Sequence, residues 1–395
     1  MTTKQLARWI ISLIAAGTAL LQACEGTWRE LARMPTMRQE VSTAALEGKI
    51  FVIAGFDSRG LSTDIVEVYD PETDTWSRRA PLPIPTNHNA AAVAGGRLYA
   101  FAGTSKRVFV YDSEQDAWLD VAPMNFMHGD TPAVAVINDL IYVAGGSGGI
   151  GNEVEVYDPL QNAWTILAPL NVRRNHTAGG AIDGKFYVVG GRPGMEAASA
   201  LEVYDPPTNT WTLLTPMPTG RSGIGAGVVN KKLYVFGGES PRLFSEVEMY
   251  DPSVDSWQRL APMRTARHGI FATVIANSIY IPGGATEQGL GATDANEVYV
   301  IPEECSLATD RNTQLRSLAI VRTSAMSRTS ATNVSSNAEV LSFLQTRANG
   351  SRMLRSVTDK ITTPLGHRQR AVPLTNPTPM PCETRLRMVA SLIAS

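Results

Sequence analysis

Two fixed spacings recur along this chain and constrain its fold more than any other feature. An aromatic residue stands four residues before a glycine in six places, with the glycines at Gly55, Gly103, Gly146, Gly191, Gly238 and Gly284. A tyrosine stands seven residues before a tryptophan in five places, with the tryptophans at Trp76, Trp118, Trp164, Trp211 and Trp257. Successive copies are 42 to 48 residues apart. Such self-similarity predicts one supersecondary unit that is repeated and buries its faces against its neighbours.

Each copy reads as an apolar strand, a glycine turn, a polar loop, an alternating strand, a turn and a strand that begins with tryptophan. The stretch from Tyr234 to Trp257 shows all these parts. Units of this kind, arranged radially, predict an all-β propeller. The glycine pair, the tyrosine and the following tryptophan resemble the kelch motif, and the resemblance covers about residues 25–302. Copies one and two depart from it with Ala54-Gly55 and Ala102-Gly103, and Tyr299 has no tryptophan seven residues later.

The position of Trp28 predicts how the ring closes. Phe51 follows Trp28 by 23 residues, just as Tyr99 follows Trp76. The last copy ends at Tyr299–Val300 without a fourth strand. The strand at Trp28 can supply it, which removes two open sheet edges. We therefore expect six blades over residues 25–302, closed by an N-terminal strand.

The chain ends differ from the repeats. Residues 1–23 carry Lys4 and Arg8, then an uncharged apolar run, so we expect a signal peptide and export to the periplasm, the cell surface or the medium. Leu21-Gln22-Ala23-Cys24 resembles a lipoprotein cleavage box, which would make Cys24 the lipid-bearing residue and the only membrane contact. Residues 303–395 contain no Trp or Tyr, and 12 basic against 6 acidic residues. We expect this tail to be disordered, and its unclustered charge does not predict nucleic-acid binding.

Loop lengths and charges predict the binding face. The count from the second glycine to the next tyrosine varies from 8 to 15 residues, so the loops between strands two and three are the variable surface. They share a face with the inter-blade connections. The candidate ligand-binding residues there are Arg38, Arg59, Arg174, Arg192, Arg221, Arg242 and Arg267. For the repeated Arg38, Arg174, Arg221 and Arg267 a structural role also remains open, because kelch repeats often use this arginine to bond neighbouring backbone. The opposite turns are acidic, and charge reversal there, at Asp74 with Asp255, is expected to change neither ligand binding nor its salt dependence.

Four histidines, His88, His128, His176 and His268, precede innermost strands and should surround one mouth of the channel. We expect the channel to hold them too far apart for metal bonds near 2 Å. No metal and no cofactor are therefore predicted.

The function that these observations favour is non-catalytic binding of a protein or an acidic ligand by a monomeric propeller. The alternative is an exported sugar mutarotase, since bacterial sialic acid mutarotases resemble this chain in their six kelch blades and export signal. Proton transfer at an anomeric centre needs a carboxylate or a histidine at the channel mouth. Side chains of the required type are Glu40, Asp130, Glu239, Glu287 and His268.

Overall fold

The computed structural model describes residues 26–302, so the predicted signal peptide, Cys24 and the predicted tail lie outside the described residues. Within that range the chain forms six antiparallel sheets of four strands, each a simple meander from the axis outwards. The innermost strands of successive sheets contact one another in a cycle, and the last contacts the first. The predicted six-bladed all-β propeller is confirmed.

The first three blades are continuous in sequence. Blade 1 consists of β2 (Ser42–Leu46), β3 (Lys49–Ile53), β4 (Val66–Asp70) and β5 (Thr75–Arg79). Blade 2 consists of β6 (Ala90–Ala94), β7 (Arg97–Phe101), β8 (Val108–Asp112) and β9 (Ala117–Val121). Blade 3 consists of β10 (Ala133–Ile137), β11 (Leu140–Ala144), β12 (Val154–Asp158) and β13 (Ala163–Ile166).

The remaining blades include the closing sheet and one short helix. Blade 4 consists of β14 (Ala178–Ile182), β15 (Lys185–Val189), β16 (Leu201–Asp205) and β17 (Thr210–Leu213), with helix α1 (Gly194–Ser199) in its variable loop. Blade 5 consists of β18 (Gly225–Val229), β19 (Lys232–Phe236), β20 (Val247–Asp251) and β21 (Ser256–Leu260). Blade 6 consists of β22 (Thr273–Ile275), β23 (Ser278–Pro282), β24 (Asn296–Val300) and β1 (Thr27–Glu30).

The second strand of each blade explains the continuous apolar runs in the sequence. Ile50 to Ile53 in β3 are all buried, and the same holds for Ile141 to Ala144 in β11. A strand that is covered by neighbouring blades on both faces has no solvent side, so the polar alternation disappears. The core therefore lies between blades, in clusters such as the one that joins Phe51 and Leu98.

The N-terminal strand closes the ring as predicted. Strand β1 pairs antiparallel with β24, and Trp28 lies opposite Tyr299. The Trp28 ring packs on Tyr299 with centroids 5.0 Å apart and on Phe236 at 5.8 Å. The Gly26 amide donates to the Tyr299 hydroxyl at 3.0 Å. First and last strands thus share one sheet, and the ring is tied by both ends of the repeat region.

A repeated clip joins each blade to the preceding one on the acidic face. Each of the six tryptophans within residues 26–302 donates its Nε1–H to a backbone carbonyl of the preceding blade, at 2.8 to 3.1 Å. In five blades an Asp or Asn accepts the amide of that preceding segment at 2.8 to 3.0 Å, and the blade's own tyrosine hydroxyl at 2.5 to 2.8 Å. These acceptors, which we call the clip residues, are Asp74, Asp116, Asn162, Asn209 and Asp255.

The clip gives Asp74 and Asp255 a structural role. The Tyr69 hydroxyl lowers the pKa of Asp74, and the Tyr250 hydroxyl does the same for Asp255, because both favour the carboxylate. Burial raises the pKa of Tyr157 and Tyr204 to about 12, so their hydroxyls stay protonated as donors to Asn162 and Asn209. The acidic clip residues of this face therefore serve the packing of one blade on the next.

Candidate functional site at the channel mouth

Each connection that enters an innermost strand contains one residue with positive φ at the same repeat position. We call these six residues the inner ring: Glu40, His88, Asp130, His176, Gly223 and Gly269, with φ between +47° and +64°. Glycine suits this backbone, whereas a side chain there costs about 1 kcal/mol or more. Four blades nevertheless keep an ionisable side chain at this position, which marks the inner ring as a candidate site.

Backbone hydrogen bonds link the inner ring from blade to blade. The Glu40 amide donates to the Gly269 carbonyl at 2.8 Å, and the His88 amide donates to the Glu40 carbonyl at 3.0 Å. The pattern continues around the axis, with Thr131 in place of Asp130 as the donor to His88. Because the connections bond to one another, the mouth is narrow and side chains from non-adjacent blades can meet over the axis.

Those side chains converge in what we call the axial cluster: Glu40, His88, His176, Arg192, Glu239 and His268. His88 and His176 come from blades 2 and 4, yet their ring centroids are 4.9 Å apart. One Glu40 carboxylate oxygen lies 3.6 Å from His88 Nε2 and accepts from Thr131 Oγ1 at 3.2 Å, and the other lies 3.7 Å from His268 Nδ1. The expectation that the channel keeps these histidines too far apart is wrong, because the connections, and not the strands, set the spacing at this mouth.

The His176 imidazole is held neutral. Burial, and then the positive charge of Arg192, lower its pKa well below the usual value. Arg192 Nη2 donates to His176 Nε2 at 2.5 Å, and His176 Nδ1 lies 2.8 Å from Asn175 Oδ1. Since the amide oxygen only accepts, Nδ1 carries the proton and Nε2 carries the lone pair.

The variable loops bond to the connections around the axial cluster. Residues that follow the second glycine form backbone bridges with the connections, as in Asn175 with Arg192 and Ser222 with Glu239. The blade 6 loop bonds to both neighbouring blades: the Gly289 amide donates to Glu239 at 3.2 Å, and its carbonyl accepts from Gln39 at 2.6 Å. The loops and the connections therefore share one face, which we call the mouth face.

Four of the seven predicted ligand-binding arginines do not reach this mouth. Arg38, Arg174, Arg221 and Arg267 are at most 1% exposed. Each pairs with the buried glutamate of its third strand, Glu67, Glu202, Glu248 or Glu297, at 2.5 to 3.2 Å. They also donate to carbonyls of their own blade, as Arg38 does to Ala54 at 2.7 Å. Their position two residues before the inner ring turns the side chain back into the blade, so their structural interpretation holds and the ligand interpretation is corrected.

Blades 2 and 3 lack the repeated arginine, and they show that the residue at this position depends on the residue opposite it in the third strand. In blade 3, His128 stands in the arginine position and contacts Glu155 at 3.1 Å, so this histidine belongs to the blade interior and not to the axial cluster. In blade 2, Thr86 replaces the arginine and buried Phe109 replaces the glutamate. The cation and the carboxylate are present together or absent together, as expected for a pair whose members compensate each other's burial.

The other three predicted arginines are accessible. The side chains of Arg59 and Arg242 are 74% and 56% exposed in the variable loops, where they pair with Asp57 and Glu246. Arg192 is 38% exposed and bonds Glu239 at 2.9 Å as well as His176. Only Arg192 among the seven belongs to the axial cluster. The sequence does contain a signal for the cluster, because the inner-ring residues always lie two positions after the repeated arginine position.

Among the candidate proton-transfer residues, the structure brings three together. Glu40, Glu239 and His268 meet in the axial cluster, where His268 Nδ1 lies 3.6 Å from Glu239 and 3.7 Å from Glu40. Asp130 lies on the inner ring. The Glu287 side chain is exposed, and only its carbonyl contacts His268, at 2.9 Å from Nε2.

Six four-stranded blades that are closed by the N-terminal strand define the protein as a β-propeller. The chain belongs to the kelch-repeat family: a model described as the KLHDC2/KLHL20/DRC7 Kelch-repeats domain matches residues 87–284 and 175–329, and a Kelch motif model matches residues 37–83. Propellers of this family serve in general as protein-binding scaffolds.

Similar proteins share parts of the repeat region. Kelch-like protein 35 of Mus musculus is 35% identical over 127 residues, which cover 30% of this chain and 22% of that protein. Kelch-like protein terF of Aspergillus terreus is 29% identical over 171 residues, 37% of each chain. The chain thus spans well under half the length of these relatives. A solved structure titled "Structure of YjhT" superposes with a TM-score of 0.59 at 17% identity and covers 69% of this chain and 97% of its own, which shows the shared fold.

Within residues 26–302, no helix has the length and apolar character that a membrane span requires.

Proposed function

We propose that the protein is a binding propeller that takes a protein segment or an acidic ligand on the mouth face. The observation that carries the proposal is the convergence of all length variation on this face, where the loops bond to the connections around the axial cluster. Surfaces that vary on a constant scaffold are the usual place for recognition.

The accessible side chains of the mouth face suit a partner with both apolar and acidic groups. Leu61 of blade 1 and Leu290 of blade 6 are 54% and 58% exposed. Their loops meet, since a Cβ on Gly60 would lie 3.0 Å from Leu290. Arg59 lies beside them and can bind a carboxylate through two parallel N–H groups once Asp57 is displaced.

The test measures binding of a fluorescent oligoglutamate peptide, and of the same peptide with interspersed leucines, to the full chain. Arg59→Glu combined with Arg242→Glu should weaken binding at least about 10-fold and reduce its salt dependence. Lys231→Glu is the matched control, because Lys231 is 74% exposed in a turn of the opposite face. Equal binding by the double variant and the control would refute the acidic-ligand proposal on this face.

The second candidate, a sialic-acid-type mutarotase, is favoured by one observation, the meeting of Glu40, Glu239 and His268 beside Arg192. A carboxylate and an imidazole at this distance could take the proton of the anomeric hydroxyl and give a proton to the ring oxygen as the ring opens, with Arg192 as the partner of a sugar carboxylate. The test is the exchange rate between anomers of N-acetylneuraminic acid followed by NMR. An enzyme would accelerate the exchange and lose the acceleration in Glu239→Gln; an unchanged rate with the full chain would exclude this candidate.

Export remains part of the proposal and rests on residues 1–24 of the sequence. The expected outcome in a bacterial host is a chain that has lost its first residues and fractionates with the periplasm, or with membranes if Cys24 carries a lipid. Cys24→Ser should then move a membrane-bound form to the soluble fraction. A cytosolic chain with Met1 intact would contradict export.

A further inference from the structure

We propose that Glu40, His88 and His176 form a binding site for a divalent transition-metal ion of the zinc type at the axis of the mouth. The three residues come from the inner-ring positions of blades 1, 2 and 4. One ligand atom of each lies within 4.8 Å of those of the other two. Two imidazoles and one carboxylate are a donor set that zinc and its neighbours in the first transition row prefer.

The two histidines have the hydrogen bonds that metal-binding imidazoles require. His88 Nδ1 lies 2.5 Å from Asn87 Oδ1, and His176 Nδ1 lies 2.8 Å from Asn175 Oδ1. The Asn87 amide is oriented by its Nδ2, which donates to Ser62 Oγ at 2.7 Å. Because each Nδ1–H is bound by an amide oxygen, each Nε2 keeps its lone pair for a metal ion. The Asn-His pair occurs in these two blades alone among the six.

His268 supplies an independent observation. Its Nδ1 is buried and has no hydrogen-bond partner, although it faces Glu40 at 3.7 Å and Glu239 at 3.6 Å. Its Nε2 lies 2.9 Å from the Glu287 carbonyl, to which it donates a hydrogen bond. His268 Nδ1 is therefore a buried polar atom that lies beside two carboxylates without a hydrogen bond, and a cation held by these groups, or a water molecule bound to one, would satisfy it.

The movement needed to bind an ion is small. Zinc bonds of about 2.0–2.1 Å place tetrahedral ligand atoms about 3.4 Å apart. The separations of up to 4.8 Å must therefore close by little more than 1 Å, within the range of side-chain rotation. The His88 side chain is 15% exposed, which leaves a path from the mouth.

Arg192 opposes the ion and makes the site adjustable. Its Nη2 occupies the His176 lone pair, and its charge repels a cation, so it must turn away when the ion enters. It is 38% exposed and keeps Glu239 as a partner through Nη1, which permits that movement. Replacement of Arg192 should therefore strengthen metal binding, whereas replacement of a structural arginine would not.

The experiment titrates the full chain with Zn²⁺ by calorimetry and with Co²⁺ by visible absorption. We expect one equivalent of Zn²⁺, and a Co²⁺ d–d band without thiolate charge transfer. Glu40→Gln, His88→Asn and His176→Asn should each weaken binding about 10- to 100-fold. Asparagine tolerates positive φ and glutamine keeps the shape of Glu40, so these variants should keep the fold. Arg192→Gln should bind about 10-fold more tightly, a gain of about 1.4 kcal/mol.

His367→Ala is the matched control for adventitious binding, because this histidine lies outside the described residues. It should leave the stoichiometry and affinity unchanged. The proposal is overturned if the three site variants bind Zn²⁺ as the parent does, if thiolate bands dominate the Co²⁺ spectrum, or if Arg192→Gln does not tighten binding. Circular dichroism in the near ultraviolet checks that each variant is folded.

Discussion

The two faces of the ring use the same repeat in opposite ways. On the face opposite the mouth, which carries the clip residues and which we call the turn face, the chemistry is repeated. A tryptophan Nε1–H and, in five blades, a clip residue bind the preceding blade at nearly constant distances. On the mouth face only the backbone is repeated, because the inner ring keeps its positive φ while its residues vary from Glu and His to Asp and Gly. An inner-ring position therefore leaves its side chain available for function, whereas the side chain of each clip residue is held by two hydrogen bonds.

The largest expected loss of stability follows from removal of β1, the strand that closes the ring. Deletion of Thr27–Glu30 should cost at least about 3 kcal/mol, the loss typical of one large aromatic residue, because it also opens two sheet edges. Trp28→Phe keeps the ring packing and loses one hydrogen bond, so it should cost only about 1 kcal/mol. Urea denaturation measures both, and equal stability of the deletion and the parent would show that β1 does not close the ring.

The buried ion pairs lie between the two faces and should give the next largest effect. Arg38→Thr removes the buried cation of Glu67 and leaves only the exposed Arg78 at 3.5 Å, so it should cost about 3 kcal/mol. Arg38→Thr with Glu67→Phe reproduces the Thr86 and Phe109 combination of blade 2 and should recover at least about 1 kcal/mol. If the double variant is no more stable than the single one, the pair does not act as a unit.

The clip residues predict how acid affects the turn face. The pKa of Asp74, Asp116 and Asp255 is lowered in the folded state, chiefly by the tyrosine hydroxyls. Their contribution to stability is therefore present above the unfolded pKa near 3.8 and is lost as the pH falls through the lowered values. The triple Asp→Asn variant, which copies Asn162 and Asn209, should lose less stability than the parent between about pH 5 and pH 2. Parallel pH profiles would contradict this.

The smallest effects are expected for exposed residues of the mouth face. Arg59→Glu and Arg242→Glu should change the free energy of unfolding by no more than about 0.5 kcal/mol, since exposed ion pairs contribute little. Asp74→Lys with Asp255→Lys should be clearly destabilising, because both residues accept two hydrogen bonds. Thermal unfolding distinguishes them, and a comparable loss in both variants would remove the contrast between the faces.

Much of the fold could be predicted because the residues that recur in every copy, such as the tyrosine and the tryptophan, each have one structural role. The spacing of Tyr to Trp gives the blade, and the register of Trp28 gives the closure. Side-chain direction could not be predicted in the same way. Arg38 and Glu40 are two residues apart, yet the arginine points into the blade and the glutamate towards the axis, because the positive φ at Glu40 redirects the chain.

The distances between side chains across the mouth could not be predicted from the repeat spacing either. Blade number fixes how far apart the innermost strands lie, but the connections lean inwards and bond to one another, which brings His88 to His176. The structural role of the repeated arginines did have a sequence signal, namely the joint replacement by Thr86 and Phe109 in blade 2. The arginine of each connection and the glutamate of the following third strand vary together, and this covariation between the copies argues against a place for these arginines on the ligand surface.

The most direct test of the claim that the mouth face is specialised for function is a stability measurement on glycine variants. Blades 5 and 6 already use Gly223 and Gly269 on the inner ring. Glu40→Gly, His88→Gly and His176→Gly together should leave the free energy of unfolding unchanged or higher, because glycine relieves the positive φ, while Zn²⁺ binding is abolished. Asp74→Ala, Asn162→Ala and Asp255→Ala together should lose several kcal/mol, about 1 or more for each clip. A glycine variant that is as unstable as the clip variant would contradict the account.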